Sequence, residues 1–546
     1  MRRPVAKIRL RERARDLRLP VLMETSDGGM LDVERFDLEP ERDLLHGLVP
    51  GVNAAALRGM ATKDKVPIVL RILGQDHLSA RTAASLVEIG QTLSTWPQLA
   101  SAVALGGSLV ADAARRVLLG TLNQSGRVRV DVGRLVTDCT LIGNAGQSSH
   151  TESEASVMEM ADAVVDARPL GTEDERGIDD SVRYLVAQAC LAPSGGNCQP
   201  WRFVADGPAV DCYIDVGRSE SRLNVGHRGS YVAMGAAVEN MVLSAEARGV
   251  ALKVEINTSA SLDEPVFRAT VGGPVAPSPS RLFEQIGYRC TNRHRGVRDR
   301  LHVGQRIALE REARGGRVLW FESQEELERL GMLHGRADRL RFLSKQMHRE
   351  LIAEVRWTPA EAEHSRDGLD LRSLELSAAD QAALNLLKQW PTLSVLKQTD
   401  GGRALEDMTR RMFLASSAIA VLQVPGRTPL DYLEGGRILQ RVWLAATGEG
   451  VAVHPQGALV YSLARLEREP ESLSADVRDE LTRVRDEYRE LVPANGGADV
   501  LMLRLSVAPE PSVRSLRRPL GSVLSAAPDA RLARARSVQV PPGSRT

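Results

Sequence analysis

The succession helix, glycine, strand occurs twice in this chain and restricts its architecture more than any other feature. "YVAMGAAVENMVLSAEARGV" (231–250) has the apolar spacing of a long amphipathic helix, stops at Gly249, and is followed by the strand-like "LKVEIN". "GGRILQRVWLAATGEGVAVHPQGAL" (435–459) repeats that order in the second half of the chain. Glycine just past a helix permits the left-handed turn by which the chain leaves it, and the returning strand must then pair nearby. Two such blocks predict two related halves with an α+β fold, and argue against a doubly wound parallel sheet.

The first block opens with Asp179, Asp180 and Ser181 as capping residues, followed by Val182, Leu185, Val186 and Ala189 on one helical face. The loop 192–200 ends that helix, and "WRFVADG" and "VDCYIDV" read as a strand pair. The second block starts at "SRLFEQIGYRCTNRHRG" (280–296), continues through charged helices, and finishes with the strand "DVLMLRLSVAP" (499–509). Upstream, residues 1–135 alternate helix and strand. "LPVLMET" (19–25) is a strand ended by a turn, "KVPIVLRIL" (65–73) a strand or buried segment, and "SARTAASLVEIGQTL" (79–93) a helix. "WPQLASAVALGGSLVADAARRVLLG" (96–120) predicts a mostly buried helix with close backbone packing at Gly106 and Gly107. The Ser/Glu-rich stretch 147–177 reads as a linker and the Pro/Arg/Ser-rich 525–546 as a disordered tail.

Charge and cysteine content exclude several classes. The 546 residues carry 71 basic and 70 acidic side chains, a net +1 that provides no field for nucleic acid or an anionic membrane. The five cysteines (Cys139, Cys190, Cys198, Cys212, Cys290) form no C-x-x-C pair, which suggests reduced thiols and excludes zinc spacing. The basic N-terminus lacks the apolar segment of a secretory signal, and the apolar run Leu99–Val110 is too short to span a bilayer. A cytoplasmic protein with neither nucleic acid nor membrane as partner is expected.

"LAPSGGNCQPW" (191–201) has no acid, base or thiol cluster around it, and Cys198 reads as a packing residue rather than a nucleophile. The loop follows a helix, so it does not present the helix N-terminus that a phosphate loop requires. Gly195 and Gly196 permit close backbone approach, while Ser194, Asn197 and Gln199 offer neutral donors and acceptors suited to a heteroaromatic ring edge. In "RCTNR", Arg289, Thr291 and Arg293 place two guanidinium groups and a hydroxyl at alternating positions, a pattern able to grip phosphate. "RSLRRPL" adds Arg514, Arg517 and Arg518.

The segment "APSGGNCQPWRF" resembles the A-P-S-x-x-N-x-Q-P-W signature of the FMN-dependent nitroreductase family. The resemblance implies that Pro193, Ser194, Asn197 and Gln199 contact the flavin ring. It further implies that Arg289, Thr291, Arg293, Arg514 and Arg518 hold the phosphate. "GVAVHPQGAL" is similar to the family segment that passes the ring, which adds Pro455 and Gly457, with His454 as a wall residue. No residue is assigned catalysis, because the flavin carries the chemistry, and no metal site is expected. Each block lacks the motif that the other has, so the layout looks like the fused, pseudo-dimeric Acg-type subgroup, with one flavin site completed within the chain. Further homo-oligomerisation is left open. "EVRWTPAEAEHSRDGLDL" (354–371) is a lid or a surface insertion.

Residues 8–135 resemble the C-terminal half of ThiF-type adenylating domains, carried by "ARDLRLPVLMETSDGGMLDVERF" and "WPQLASAVALGGSLVADAARR". No G-x-G-x-x-G strand–turn–helix precedes them and residues 1–135 contain no cysteine, so adenylation is not expected. The implied organisation is a partial ThiF-like α/β domain (1–146), the linker (147–177), two nitroreductase-like halves (178–279 and 280–524) and the tail (525–546). The implied activity passes electrons from NAD(P)H through FMN to a small-molecule acceptor of nitro, quinone-like or other electron-poor type. The alternatives are an FMN-sequestering protein without turnover and a ThiF-nitroreductase-type modification enzyme.

Overall fold

The computed structural model describes residues 4–25, 29–60, 63–89, 92–93, 98–130, 178–257, 261–494 and 496–527. The linker 147–177, most of the tail and Cys139 lie outside the described residues. The chain forms two compact units, one of residues 1–163 with 376–404 and one of 164–375 with 405–546. The domain order read from sequence therefore needs a correction, because 376–404 leaves the second block for the N-terminal unit. Its helices Ala378–Leu387 and Trp390–Gln398 bury Ala382, Leu386, Leu393 and Leu396 and pack on helices Val66–Leu73 and Ala80–Glu88.

The N-terminal unit has a three-stranded antiparallel sheet of β1 (Pro20–Thr25), β2 (Met30–Arg35) and β3 (Gly126–Arg129), in that order. Residues 66–73, given as strand or buried segment, form a helix, for which Pro67 in its first turn is pre-set. Helix Ala100–Leu118 exists as expected but is largely exposed, burying only Gly106 and Ala113. At Gly106 a Cβ would fall 2.2 Å from the Glu24 carboxylate, whereas at Gly107 it would meet nothing within 4 Å. The expected close packing holds at the first glycine alone.

The larger unit contains two sheets. One has the order β14-β4-β5-β7-β6, built from β4 (Trp201–Asp206), β5 (Ala209–Ile214), β6 (Val250–Ile256), β7 (Phe267–Pro274) and β14 (Leu524–Ala526). The other has the order β12-β13-β11-β8, from β8 (Arg317–Phe321), β11 (Ala418–Val424), β12 (Ala452–Gln456) and β13 (Ala498–Ser506). Short β9 (Val355–Arg356) and β10 (Leu369–Asp370) pair separately, in parallel. Read in chain order, 4-5-7-6 and 8-11-13-12 are the same antiparallel arrangement, with a long helix between the second and third strands in sequence. β14 joins β4 in parallel, so residues 524–526 close the first sheet and the tail begins later than 525.

The two long helices, Arg228–Arg248 and Pro429–Gly448, form the centre of this unit. The first is buried on nearly every side instead of being amphipathic, as a helix between layers must be. Two glycines set their approach. A Cβ on Gly235 would lie 1.9 Å from the Leu433 carbonyl oxygen, and one on Gly436 would lie 2.0 Å from that of Val232. Gln440 donates to the Asn240 side chain at 2.7 Å in a buried pair, and Arg437 to Glu239 at 2.9 Å in a partly buried one, extending the contact.

Candidate functional site

A cavity of about 910 Å³ in the larger unit is lined by Val232, Ala233, Leu439 and Trp443 of the two central helices. It is also lined by Pro193, Ser194, Asn197, Arg289, Thr291 and Arg293, and by Pro455, Gly457 and Arg514. Fold topology thus gathers residues scattered from Pro193 to Arg514. Gln199 and Arg518 do not line it.

The loop begins where helix Asp180–Ala189 ends. Its turn places Gly196, Asn197 and Gln199 at φ of 56°, 53° and 51°. Left-handed backbone is cheap for glycine but strained for the other two, and side-chain bonds hold them there. The Asn197 amide donates to the carbonyls of Gly368 (3.2 Å) and Leu516 (3.1 Å), and its oxygen accepts from Arg517 (3.0 Å). Gln199, 1 % exposed, donates to the Arg366 carbonyl (2.9 Å) and accepts from the Arg518 backbone N–H (2.9 Å). Ser194 Oγ accepts from the Gln199 N–H at 2.9 Å. These bonds tie segment 355–370 and the C-terminal arginine run onto the loop. Asp367 reinforces the tie through ion pairs with Arg356 and Arg218. Segment 354–371 is consequently a clasp over the loop and not a plain surface insertion.

The arginines divide by what they hold. Arg517 donates to the carbonyls of Cys190 (2.9 Å), Leu191 (3.3 Å) and Ala192 (3.2 Å), capping the helix with its charge. Burial lowers its pKa to about 10, so it remains a cation at neutral pH. Arg518 turns to the Ser522 carbonyl, and Arg514 to that of Gly287. Arg293 reaches Ser373 at 3.3 Å, and burial lowers it to about 10. Arg289 differs. It is 7 % exposed, lies over the Trp443 ring at 4.6 Å, and donates once, to the Leu191 carbonyl at 2.9 Å. Its Nε is buried with no partner, and so is Trp443 Nε1. Burial, with Arg517 and Arg514 close by, lowers Arg289 to about 9, a strain that a bound anion would relieve.

Cys198 lines the cavity, but burial pushes its thiol to about 12, so it is no nucleophile at neutral pH. His454 is a wall residue, as expected, and burial keeps it neutral. Sequence reasoning missed Trp443 as a donor and missed one whole wall. His334, Asp338 and Arg341, at i, i+4 and i+7 on helix Gln324–Leu343, all face this cavity. The polar stripe in "HGRADRLR" was the available signal. Among the described residues no group of His, Cys, Asp or Glu could hold a metal, and no helix is long and apolar enough to cross a membrane.

No protein-family profile matches the chain. A nitroreductase with bound FMN from Bacteroides fragilis aligns with 44% of this chain and 95% of its own. The identity is 10% and the TM-score 0.25, too low to assign a shared fold. Over 519 residues the chain is 38% identical to the uncharacterized protein MT1398 of Mycobacterium tuberculosis (strain CDC 1551 / Oshkosh), covering 94% of this chain and 70% of that protein. That similarity spans both units and the candidate site, and the chain belongs to the same family as MT1398.

Proposed function

We propose that the larger unit is an FMN-dependent oxidoreductase whose flavin site is completed by two nitroreductase-like halves of one chain. The observation that carries this reading is the pair of buried, unpartnered donors, Arg289 Nε and Trp443 Nε1, on a cavity that the A-P-S-x-x-N-x-Q-P-W loop also lines. Buried donors without partners call for an acceptor; others occur elsewhere among the described residues, such as Trp201 Nε1 and Arg504 Nε, and Arg289 and Trp443 are set apart from these by lining the cavity. A volume of about 910 Å³ falls within the usual range for small-molecule and cofactor sites, about 300–1,000 Å³. Arg289 and Trp443 would bind the phosphate, with Thr291, Arg293 and Arg514 nearby. Pro193, Ser194, Gly457 and Pro455 would shape the ring pocket. FMN, when bound, supplies hydride and electron transfer between NAD(P)H and an electron-poor acceptor. The protein's own residues hold it, exclude water, and keep Asn197 and Gln199 fixed as braces. The matching strand orders of the two sheets support the fused-halves reading. In this reading the N-terminal unit is a ThiF-like remnant.

One absorption spectrum tests the proposal: the purified protein, or protein incubated with FMN and desalted, should show the visible bands of bound flavin. A colourless protein after both treatments refutes it. The clasp supports a second reading, FMN sequestration without turnover, because Asn197, Gln199 and Arg218 all tie it down. NAD(P)H oxidation with nitroaromatic and quinone acceptors separates the two, since a sequestering protein holds flavin that neither nicotinamide reduces.

A further inference from the structure

Many polar side chains on the cavity wall are already engaged by the chain itself. Ser221 donates to Glu350, Asn224 to the Ser219 carbonyl and the Ser230 hydroxyl, and Arg341 to Glu354. Tyr461, on helix Ala458–Arg468, is not. It lines the cavity, and its hydroxyl has no hydrogen bond to any described residue. Nor is that hydroxyl sealed away, in contrast to the one on Tyr488, which is buried without a partner.

Two glycines fix where the Tyr461 ring lies. A Cβ on Gly457 would fall 3.0 and 3.1 Å from its Cδ2 and Cε2, so a side chain there would press on one edge of the ring. A Cβ on Gly229 would fall 3.9 Å from Cζ, the atom that carries the hydroxyl. The hydroxyl therefore stands beside the first turn of helix Arg228–Arg248, at a corner where Gly229, Ser230 and Gly457 also line the cavity. The N-terminal end of a helix is positive, and Arg228 adds a full charge. It is 8 % exposed, lies over the Tyr432 ring at 5.0 Å, and forms no ion pair or hydrogen bond with any described residue. Burial, with Tyr432 close by, raises the Tyr461 phenol above its ordinary range against the charge of Arg228. The group stays protonated at neutral pH, a neutral donor in a positive corner.

We propose that the Tyr461 hydroxyl selects the electron acceptor, donating a hydrogen bond to the carbonyl oxygen of an uncharged, quinone-like ligand. A neutral donor and a neutral carbonyl pair without the desolvation cost of a charge, and the positive corner favours the negative end of the carbonyl dipole. A ligand without that oxygen leaves the hydroxyl unpaired and is selected against. The words electron acceptor rest on the flavin reading above; the recognition of a carbonyl does not.

Duroquinone carries carbonyls on a fully methylated ring to which thiols do not add, and p-xylene lacks the oxygens. Titrated calorimetrically into the full chain as purified, duroquinone should bind saturably, and Tyr461→Phe should weaken it about three- to tenfold. p-Xylene should bind the two proteins equally or bind neither. Because the hydroxyl has no partner in the chain, Tyr461→Phe should unfold at the same temperature as the unaltered chain and show the same visible flavin absorption. Absence of saturable duroquinone binding to a flavin-loaded chain, an effect of Tyr461→Phe below about twofold, or an equal loss for p-xylene overturns the contact. Loss of flavin from the variant overturns it as well, since Tyr461 would then serve the cofactor. So does a large drop in unfolding temperature, which would mean that the hydroxyl is bonded within the chain. Selective weakening of duroquinone in a protein without flavin leaves the contact standing and refutes the flavin reading alone.

Discussion

Loop 192–200 and the Arg289–Trp443 corner border the same cavity but treat their polar groups in opposite ways. On the loop, Asn197 and Gln199 use both ends of their amides within the chain. At the corner, two buried N–H groups are bonded to nothing. The first arrangement maintains a shape and the second leaves a demand. A polar residue in a motif is therefore not a ligand contact by virtue of its type; what decides is whether the fold has already satisfied it.

Substitutions can break this comparison. Arg517→Ala should have the largest effect, on stability, since it removes the guanidinium that the Cys190 and Ala192 carbonyls and the Asn197 amide oxygen accept from. A loss of about 3 kcal/mol or more is expected in denaturant unfolding. A loss near zero would make Arg517 a ligand group instead of a brace. Arg289→Ala should lower FMN affinity by about 10- to 150-fold, corresponding to about 1.5–3 kcal/mol, with little effect on unfolding. Arg295→Ala, at an exposed neighbour, should change affinity less than about twofold, and equal effects would contradict the phosphate assignment. Asn197→Ala should resemble Arg517→Ala in kind but cost about 1–2 kcal/mol, while leaving FMN affinity per folded molecule nearly unchanged.

The clasp supplies a pH test. Burial alone would raise the Asp367 pKa, but hydrogen bonds and charge from Arg356, with Arg218, outweigh it and hold the carboxyl below its ordinary 3.8. A depressed carboxyl contributes stability that is present above its ordinary value and lost as pH falls through the folded one. Unfolding measured from pH 7 to pH 3 should therefore show the clasp contribution intact until pH drops below about 4, and Asp367→Asn should flatten that loss. The last test is chemical. Cys198, with its thiol at about 12, should react with a disulfide reagent at pH 8 far more slowly in folded than in unfolded protein.

The helices and strands of the larger unit were readable because their cues are local. Asp179 caps its helix and Gly249 ends the next one in the left-handed conformation. Residues 65–73 were ambiguous because a short apolar run fits either a strand or a helix, and only packing decided. The escape of 376–404 to the other unit was invisible for the same reason: helix periodicity indicates that a face is buried, not against what. At the site, the loop and "RCTNR" were legible as motifs, but the roles within them were not. The partners of Asn197 and Gln199 come from residues 366–368 and 516–518, far along the chain. Trp443 belongs to a helix whose composition gives no hint that one edge faces a cavity, and the polar stripe around His334 reads equally well as a solvated face.

The reciprocal glycines of the central helices have a consequence for how this site can change over time. Because Gly235 and Gly436 bring backbone against backbone, the spacing of the two helices is set by main-chain contact and not by side-chain volume. Val232, Ala233 and Leu439 can then be exchanged to alter what the cavity accepts without moving the frame that holds it. Such a joint separates tolerance from precision: the lining is free to drift toward a new ligand, while two positions without side chains keep the register.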